Sequence, residues 1–126
     1  MDTDLTWNYL NQYHVIPTVE ILKCLLDLGV DINTNIYDYT LLMHAVKNGD
    51  YYDTVELLLE KGADINIVTG AGFSALMMAI VFCKNYNNDN IIKLLINKGA
   101  NLDLTDISDN TALMYAINHY GQPIVI

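Results

Sequence analysis

The sequence is poor in basic residues. Six Lys and Arg stand against fifteen Asp and Glu among 126 residues, which gives a formal net charge of -9. Such a charge repels the phosphate backbone of a nucleic acid and the surface of an anionic membrane. Neither is therefore expected as a partner. A charge of this sign complements a basic surface, which is the surface expected of any protein partner.

Cysteine is also scarce, and targeting signals are not visible. Cys24 and Cys83 both lie in apolar helical patterns, which predicts two reduced core thiols and no disulfide. The first residues, Met1 to Asp4, lack the basic and apolar regions of a secretion signal. The longest apolar run, Ala75 to Cys83, is well below the ~20 residues that span a bilayer. We therefore expect a soluble intracellular protein, most simply a cytoplasmic one.

Signatures of catalysis and metal binding are missing as well. His14, His44 and His119 are far apart in the chain, and no Ser, Cys and acid form a nucleophilic signature with them. Neither cysteine has a second ligand at zinc spacing, and no calcium-loop spacing is matched. The segment from Gly70 to Gly72 lacks the flanking strand and third glycine of a dinucleotide site. We predict no enzymatic activity, no metal and no cofactor.

The sequence does contain an internal repeat. Three segments close alike around a glycine: Leu25 to Asn33 with Gly29, Leu58 to Asn66 with Gly62, and Leu95 to Asp103 with Gly99. Three segments open alike and end in an alanine: Thr40 to Ala45, Ser74 to Ala79, and Thr111 to Ala116. The glycines are 33 and 37 residues apart and the alanines 34 and 37. A period of this length is typical of a solenoid of stacked units.

The recurring residues each have a physical role. A Ser or Thr before the first helix of a repeat is expected to cap it, as Thr40, Ser74 and Thr111 would. A large and a small apolar residue three positions apart should share one buried helix face, as in Leu42 with Ala45, Leu76 with Ala79, and Leu113 with Ala116. The glycines should end the second helices in the left-handed conformation.

A turn followed by two helices with this period resembles the ankyrin repeat, whose signature opens Thr-Pro-Leu-His-x-Ala and closes Leu-Leu-Leu-x-x-Gly-Ala-Asp-x-Asn. The resemblance covers Val19 to about Ile126, and Leu57 to Asn66 match the closing part almost completely. The opening part departs from the family, because Leu, Ala and Ala replace its proline and three methionines replace its histidine. The resemblance implies an all-α ankyrin-repeat solenoid of helix-turn-helix units joined by β-hairpin-like loops.

We divide this single domain, 1–126, into four units. They are an N-terminal capping repeat at 1–34, a second repeat at 35–68, a third at 69–105 and a partial fourth at 106–126. The capping repeat shows helical spacing from Leu5 to Tyr13, and Pro17 is expected to start its second helix. The third repeat is longer, which predicts an insertion at Asn85 to Asn90 in the turn between its helices. Pro123 to Ile126 resemble the start of another helix, so the last repeat is partial or the natural chain continues.

In the ankyrin architecture, hairpin tips and first helices line the binding groove, and second helices form its back. The resemblance therefore implies these partner-binding candidates: Tyr37, Asp38, Tyr39, His44 and Lys47 in the second repeat, Phe73 and Met78 in the third, and Asp109, Asn110, Tyr115, Asn118 and His119 in the fourth. Tyr37, Tyr39 and Phe73 are the expected anchors, because rigid aromatic side chains lose little entropy on binding. The alternative is that these rings pack on neighbouring hairpins.

The resemblance implies a monomeric binding module or adaptor. The alternative is the targeting part of a larger effector, such as a substrate receptor of a ubiquitin ligase, as in poxvirus ankyrin proteins. Residue types with AT-rich codons, such as Asn, Ile, Tyr and Lys, are associated with AT-rich genomes, including those of large DNA viruses, and this origin would place the protein in a host cytoplasm. The resemblance also suggests hydroxylation of Asn33 or Asn66, which occupy the asparagine of the closing signature.

Overall fold

A computed structural model of the chain describes residues 18–36, 38–48, 51–82 and 89–120. Within this part of the chain the elements are α1 (Val19–Asp27), β1 (Asn35–Ile36), β2 (Tyr39–Thr40), α2 (Leu41–Asn48), α3 (Tyr52–Glu60), α4 (Ala75–Val81), α5 (Asp89–Asn97) and α6 (Ala112–Tyr120). The two short strands pair antiparallel, with Asn35 opposite Thr40. Where the second repeat meets the third, a single bridge between Val68 and Ser74 takes the place of this ladder.

The helices form two layers. The first helices of the repeats, α2, α4 and α6, pack in sequence against one another, and so do the second helices, α1, α3 and α5. The layers are joined within repeats, because α2 contacts α3 and α4 contacts α5. Each unit thus contacts its neighbours along the chain, which confirms the predicted all-α solenoid.

The predicted helix ends are confirmed. The Ser or Thr oxygen at each opening accepts a hydrogen bond from the backbone N–H three residues later: Thr40 from Met43 at 3.3 Å, Ser74 from Met77 at 3.2 Å, and Thr111 from Met114 at 3.3 Å. At the other end of a repeat, Gly62 has a φ of 94°, and its N–H donates to the Leu59 carbonyl at 3.2 Å. The following N–H, of Ala63, donates to the Leu58 carbonyl at 2.9 Å. These bonds satisfy carbonyls that the helix end leaves unpaired.

The core lies between the two helix layers. Its fully buried side chains come from both layers and include Leu22, Leu42, Leu58, Leu76 and Leu95. Leu42 and Leu76 lie beside the buried Ala45 and Ala79, which confirms the large-and-small pairing in the second and third repeats. Small residues at these positions let neighbouring helices approach closely.

The fourth repeat departs from this pattern. Leu113 is 67% exposed, whereas Leu76 at the equivalent position of the third repeat is 2% exposed. Met114 and Ile117 on the same helix are also exposed. In the third repeat, α5 and α6 pack against α4, but no described residue supplies such a helix beyond α6. The expectation that Leu113 is buried is therefore wrong for the described part of the chain.

Two further expectations, for Cys24 and Pro17, need correction. Cys24 is an exposed free thiol rather than a core residue, because Leu22 and Leu25 occupy the inward face of α1. Cys83 lies outside the described residues. The helix α1 begins at Val19, and Thr18 caps it by accepting the Ile21 N–H, so Pro17 is not its first residue.

The insertion is shorter than predicted at its C-terminal end. The helix α5 begins at Asp89, so Asp89 and Asn90 are helical rather than part of a turn. The rest of the predicted insertion, 85–88, and the predicted first helix of the capping repeat lie outside the described residues. No helix in the described ranges is long and apolar enough to cross a bilayer.

Candidate protein-binding surface

The hairpin tips are linked from one repeat to the next. Each tip has a residue with positive φ: Asp38 at 73°, Gly72 at 83° and Asp109 at 63°. The Gly70 N–H donates to both carboxylate oxygens of Asp38, at 2.9 and 3.1 Å, and the Ile107 N–H donates to the Ala71 carbonyl at 3.0 Å. The predicted binding residue Asp38 is therefore exposed but already engaged in positioning the third hairpin.

A second set of bonds links the turns that close the repeats. The side-chain oxygen of Asn33 accepts the Asp64 N–H at 2.8 Å, and that of Asn66 accepts the Asn101 N–H at 2.8 Å. Sequence reasoning assigned these asparagines only to hydroxylation and missed their bridging role. Their spacing of 33 residues could have revealed this role. A residue that is needed at every junction between units recurs with the period of the repeat.

Tyr39, His44, Lys47 and Phe82 form one surface group, which we call the Lys47 cluster. The rings of Tyr39 and His44 are tilted by 54° with centroids 5.3 Å apart. The Lys47 ammonium lies 5.3 Å from the Tyr39 centroid and 5.4 Å from that of Phe82. Both distances are within the range of a cation–π attraction. The structure thus brings three predicted site residues together and joins them to the third repeat through Phe82, which is 38% exposed.

A second group joins the third and fourth repeats. The rings of Phe73 and Tyr115 meet edge to face with centroids 5.1 Å apart. The Tyr115 hydroxyl donates to the carboxylate of Asp106, which also accepts the Ser108 and Asn110 N–H groups at 2.9 and 3.0 Å. Phe73 is half-buried here, so packing on the next repeat, the alternative reading, describes it better than a free anchor does. Sequence reasoning missed Asp106, because its role depends on the hydrogen bond from Tyr115, which lies nine residues further along the chain.

This hydrogen-bonded pair predicts a specific pH dependence. Chiefly the Tyr115 hydroxyl, and then the Asn110 N–H, hold the pKa of Asp106 below its ordinary 3.8, while the Asp106 carboxylate raises the pKa of Tyr115 above 10.0. The stability contributed by Asp106 is complete above 3.8 and is lost as pH falls through its lowered pKa. That contributed by Tyr115 is complete below 10.0 and is lost as pH rises through its raised pKa.

We therefore expect Tyr115→Phe to flatten the acid limb of the stability profile. The measurement is urea unfolding of both proteins from pH 7 to pH 2, and the quantity compared is the difference between their free energies of unfolding. This difference should shrink below pH 3.8, where Asp106 becomes protonated in the unfolded chain. A difference that stays constant down to pH 2 would contradict the assigned bond.

The remaining predicted residues have different positions. Met78 is 1% exposed, so its assignment to the binding surface is wrong: it lies in the middle repeat, and the first helices on both sides cover α4. Asp109 and Asn118 are exposed. Tyr37 and the side chain of His119 lie outside the described residues. Among the side chains that are described, no three His, Cys, Asp or Glu could hold a metal ion together.

The described architecture of stacked helix pairs and linked hairpins agrees with the sequence comparisons. A family model described as ankyrin repeats, in three copies, matches residues 11–69 and 42–126. The chain belongs to the ankyrin-repeat family. A search of curated proteins found no matching relative for this ankyrin chain. Ankyrin repeats generally mediate protein–protein interaction.

A solved ankyrin structure supports the same fold. The chain is similar to the crystal structure of the ankyrin repeat domain of Bcl-3, described as a unique member of the IkappaB protein family, with a TM-score of 0.69 and 30% sequence identity. The match covers 78% of this ankyrin chain and 42% of the Bcl-3 chain. The described repeats therefore correspond to less than half of that longer chain.

Proposed function

We propose that the protein is a non-enzymatic binding module that holds a partner protein against its first helices and hairpin tips. The observation that carries this proposal is the Lys47 cluster, where the half-buried Tyr39 and the exposed Phe82, from two repeats, both lie beside the Lys47 ammonium. Aromatic side chains are enriched at the centres of protein interfaces, and a few such residues carry most of the binding energy. The bonds between successive hairpins hold the surface in place, which reduces the entropy lost on binding.

The distribution of charge supports the same surface. The first helices α2, α4 and α6 contain no Asp or Glu. The second helices carry these acids: Glu20, Asp27, Asp53, Glu56, Glu60 and Asp89. Charged residues are depleted at the centres of protein interfaces. The first helices therefore suit the centre of an interface, and a basic region of the partner would face the hairpin tips at Asp38 and Asp109.

Finer features of this function remain proposals from the sequence. They are a monomeric protein, an adaptor role, a place in the cytoplasm of a host cell and, as the alternative function, substrate recognition within a ubiquitin-ligase effector. Composition and family resemblance support them. Hydroxylation of Asn33 or Asn66 is a proposal of the same kind, and the bonds of both side chains to the next repeat mean that it would act at a junction between repeats.

Capture of partner proteins from a cell extract tests the proposal. We expect Phe82→Ala to lower the amount of bound partner at least tenfold, because truncating an aromatic hot spot costs ~2 kcal/mol or more. Tyr52→Ala is the matched control, since Tyr52 is equally exposed, at 38%, but lies on the second helix α3. Quantitative mass spectrometry of the captured proteins gives the comparison. Equal capture by both variants would contradict the proposed surface.

A further inference from the structure

Lys47 is unusual among the lysines of this chain. It is the one Lys, Arg, Asp or Glu among the residues of α2, α4 and α6. The other described lysines, Lys23, Lys61, Lys93 and Lys98, lie on the second helices or directly after them. Among the described residues of the first helices, Lys47 is therefore the one positive charge, although the protein as a whole is acidic.

In the part of the chain that the structure describes, Lys47 contacts aromatic rings but no hydrogen-bond acceptor. Its ammonium faces two rings, and within the described residues it forms no ion pair. An aromatic face attracts a cation through its quadrupole, but it neither neutralises the charge nor accepts three N–H bonds. The group that complements an ammonium in both respects is a carboxylate, through a charge-assisted hydrogen bond. Attraction to the two rings favours this position of the ammonium.

The surroundings of Lys47 restrict what else the ligand contains. Phe82 is partly exposed beside the ammonium, and Tyr39 is half-buried on its other side, so an adjoining side chain of the ligand meets apolar surface. A run of acidic groups, or a nucleic acid, would be repelled by the net charge of -9. A single carboxylate of the ligand is attracted by the nearby Lys47 ammonium. The acids of the second helices, which would repel this carboxylate, lie in the other helix layer.

We infer that the Lys47 cluster recognises a peptide segment of the partner in which one carboxylate adjoins a large apolar side chain. The carboxylate pairs with the Lys47 ammonium, and the apolar side chain packs against Phe82 and Tyr39. This inference rests on the proposed function and specifies the chemistry of the segment that binds at its centre. The acidic segment inferred here is distinct from the basic surface expected elsewhere on the partner. Lys47 is positively charged, whereas the chain as a whole is negatively charged.

Selection of random twelve-residue peptides displayed on phage, with the full chain as bait, tests this inference. We expect the selected peptides to contain one Asp or Glu next to Phe, Leu, Ile or Trp. Selection on Lys47→Met, which keeps the apolar part of the side chain, should lose the preference for the acid. Lys61→Met is the matched control, because Lys61 is an exposed lysine at the end of α3, and it should keep the preference.

Fluorescence anisotropy with one selected peptide then measures the pairing. Changing its acid to the amide should weaken binding about tenfold to the native chain and leave binding to Lys47→Met unchanged. Circular dichroism verifies that Lys47→Met is folded. If it is not, the comparison of acid and amide on the native chain decides the question, and equal affinities overturn the inference.

The outcomes separate this inference from the proposed function. Selected peptides rich in Lys or Arg, or no selected peptide at all, would overturn the inference. If Phe82→Ala still lowers protein capture in that case, the proposed binding surface stands and only the acidic segment is rejected. If the selected peptides show no preference for an acid and capture does not depend on Phe82, the proposed binding surface is refuted as well.

Discussion

Gly72→Ala is expected to destabilise the protein by about 2 to 4 kcal/mol, which is a large fraction of the stability of a small domain. Gly72 has a φ of 83°, a conformation that costs other residues about 1 to 2 kcal/mol. A methyl group there would also lie 2.7 Å from the Asp106 Cα and 3.2 Å from the Ile107 nitrogen. These are backbone atoms, so the third and fourth hairpins would have to move apart.

Gly70→Ala is the matched control for this change. It lies two residues earlier in the same hairpin, and a methyl group there would meet the Asp38 carboxylate at 3.6 Å, an ordinary contact. Alanine also retains the N–H that donates to Asp38. Urea unfolding followed by circular dichroism gives both free energies of unfolding. Equal values for the two variants would show that the third and fourth hairpins are not in close contact.

Leu76→Ala should destabilise the protein by about 3 kcal/mol, because it leaves a cavity where α4 packs between α2 and α6. Leu113→Ala is the control at the equivalent position of the next repeat, and it should cost less than about 1 kcal/mol because Leu113 is already exposed. The same urea experiment measures both. A similar loss in both variants would mean that Leu113 is covered in solution.

The repeat explains why much of the fold could be predicted from the sequence. Capping by Thr40 and Ser74 and the left-handed Gly62 depend on short-range geometry, so each follows from a residue type at a fixed position in the repeat. The order of packing follows from the period, because each unit of a solenoid contacts its sequence neighbours. Family resemblance supplied the rest of the architecture.

The misses concern which neighbour covers a given side chain. His44, Met78 and Tyr115 share one position in the repeat, yet Met78 is buried and the other two are half-buried. Met78 lies on α4, which is packed between α2 and α6. Cys24 was expected in the core because apolar residues adjoin it in the sequence, but its helix is amphipathic and buries Leu22 and Leu25 instead.

The candidate site was only partly predictable for a similar reason. Position in the repeat placed Tyr39, His44 and Lys47 on the first-helix side, but their grouping around the ammonium depends on the side-chain conformation of Lys47 and on Phe82 of the next repeat. Likewise, the pairing of Tyr115 with Asp106 required the geometry of the fourth hairpin. Contacts between units are not encoded by spacing within one unit.

The central claim is that a partner protein binds the first-helix side of the repeats. Its most direct test compares the affinity of a captured partner for the native chain, Phe82→Ala and Tyr52→Ala, each verified as folded. The account predicts at least tenfold weaker binding for Phe82→Ala and native affinity for Tyr52→Ala. Native affinity for Phe82→Ala together with weakened binding for Tyr52→Ala would contradict it and would place the interface on the second helices instead.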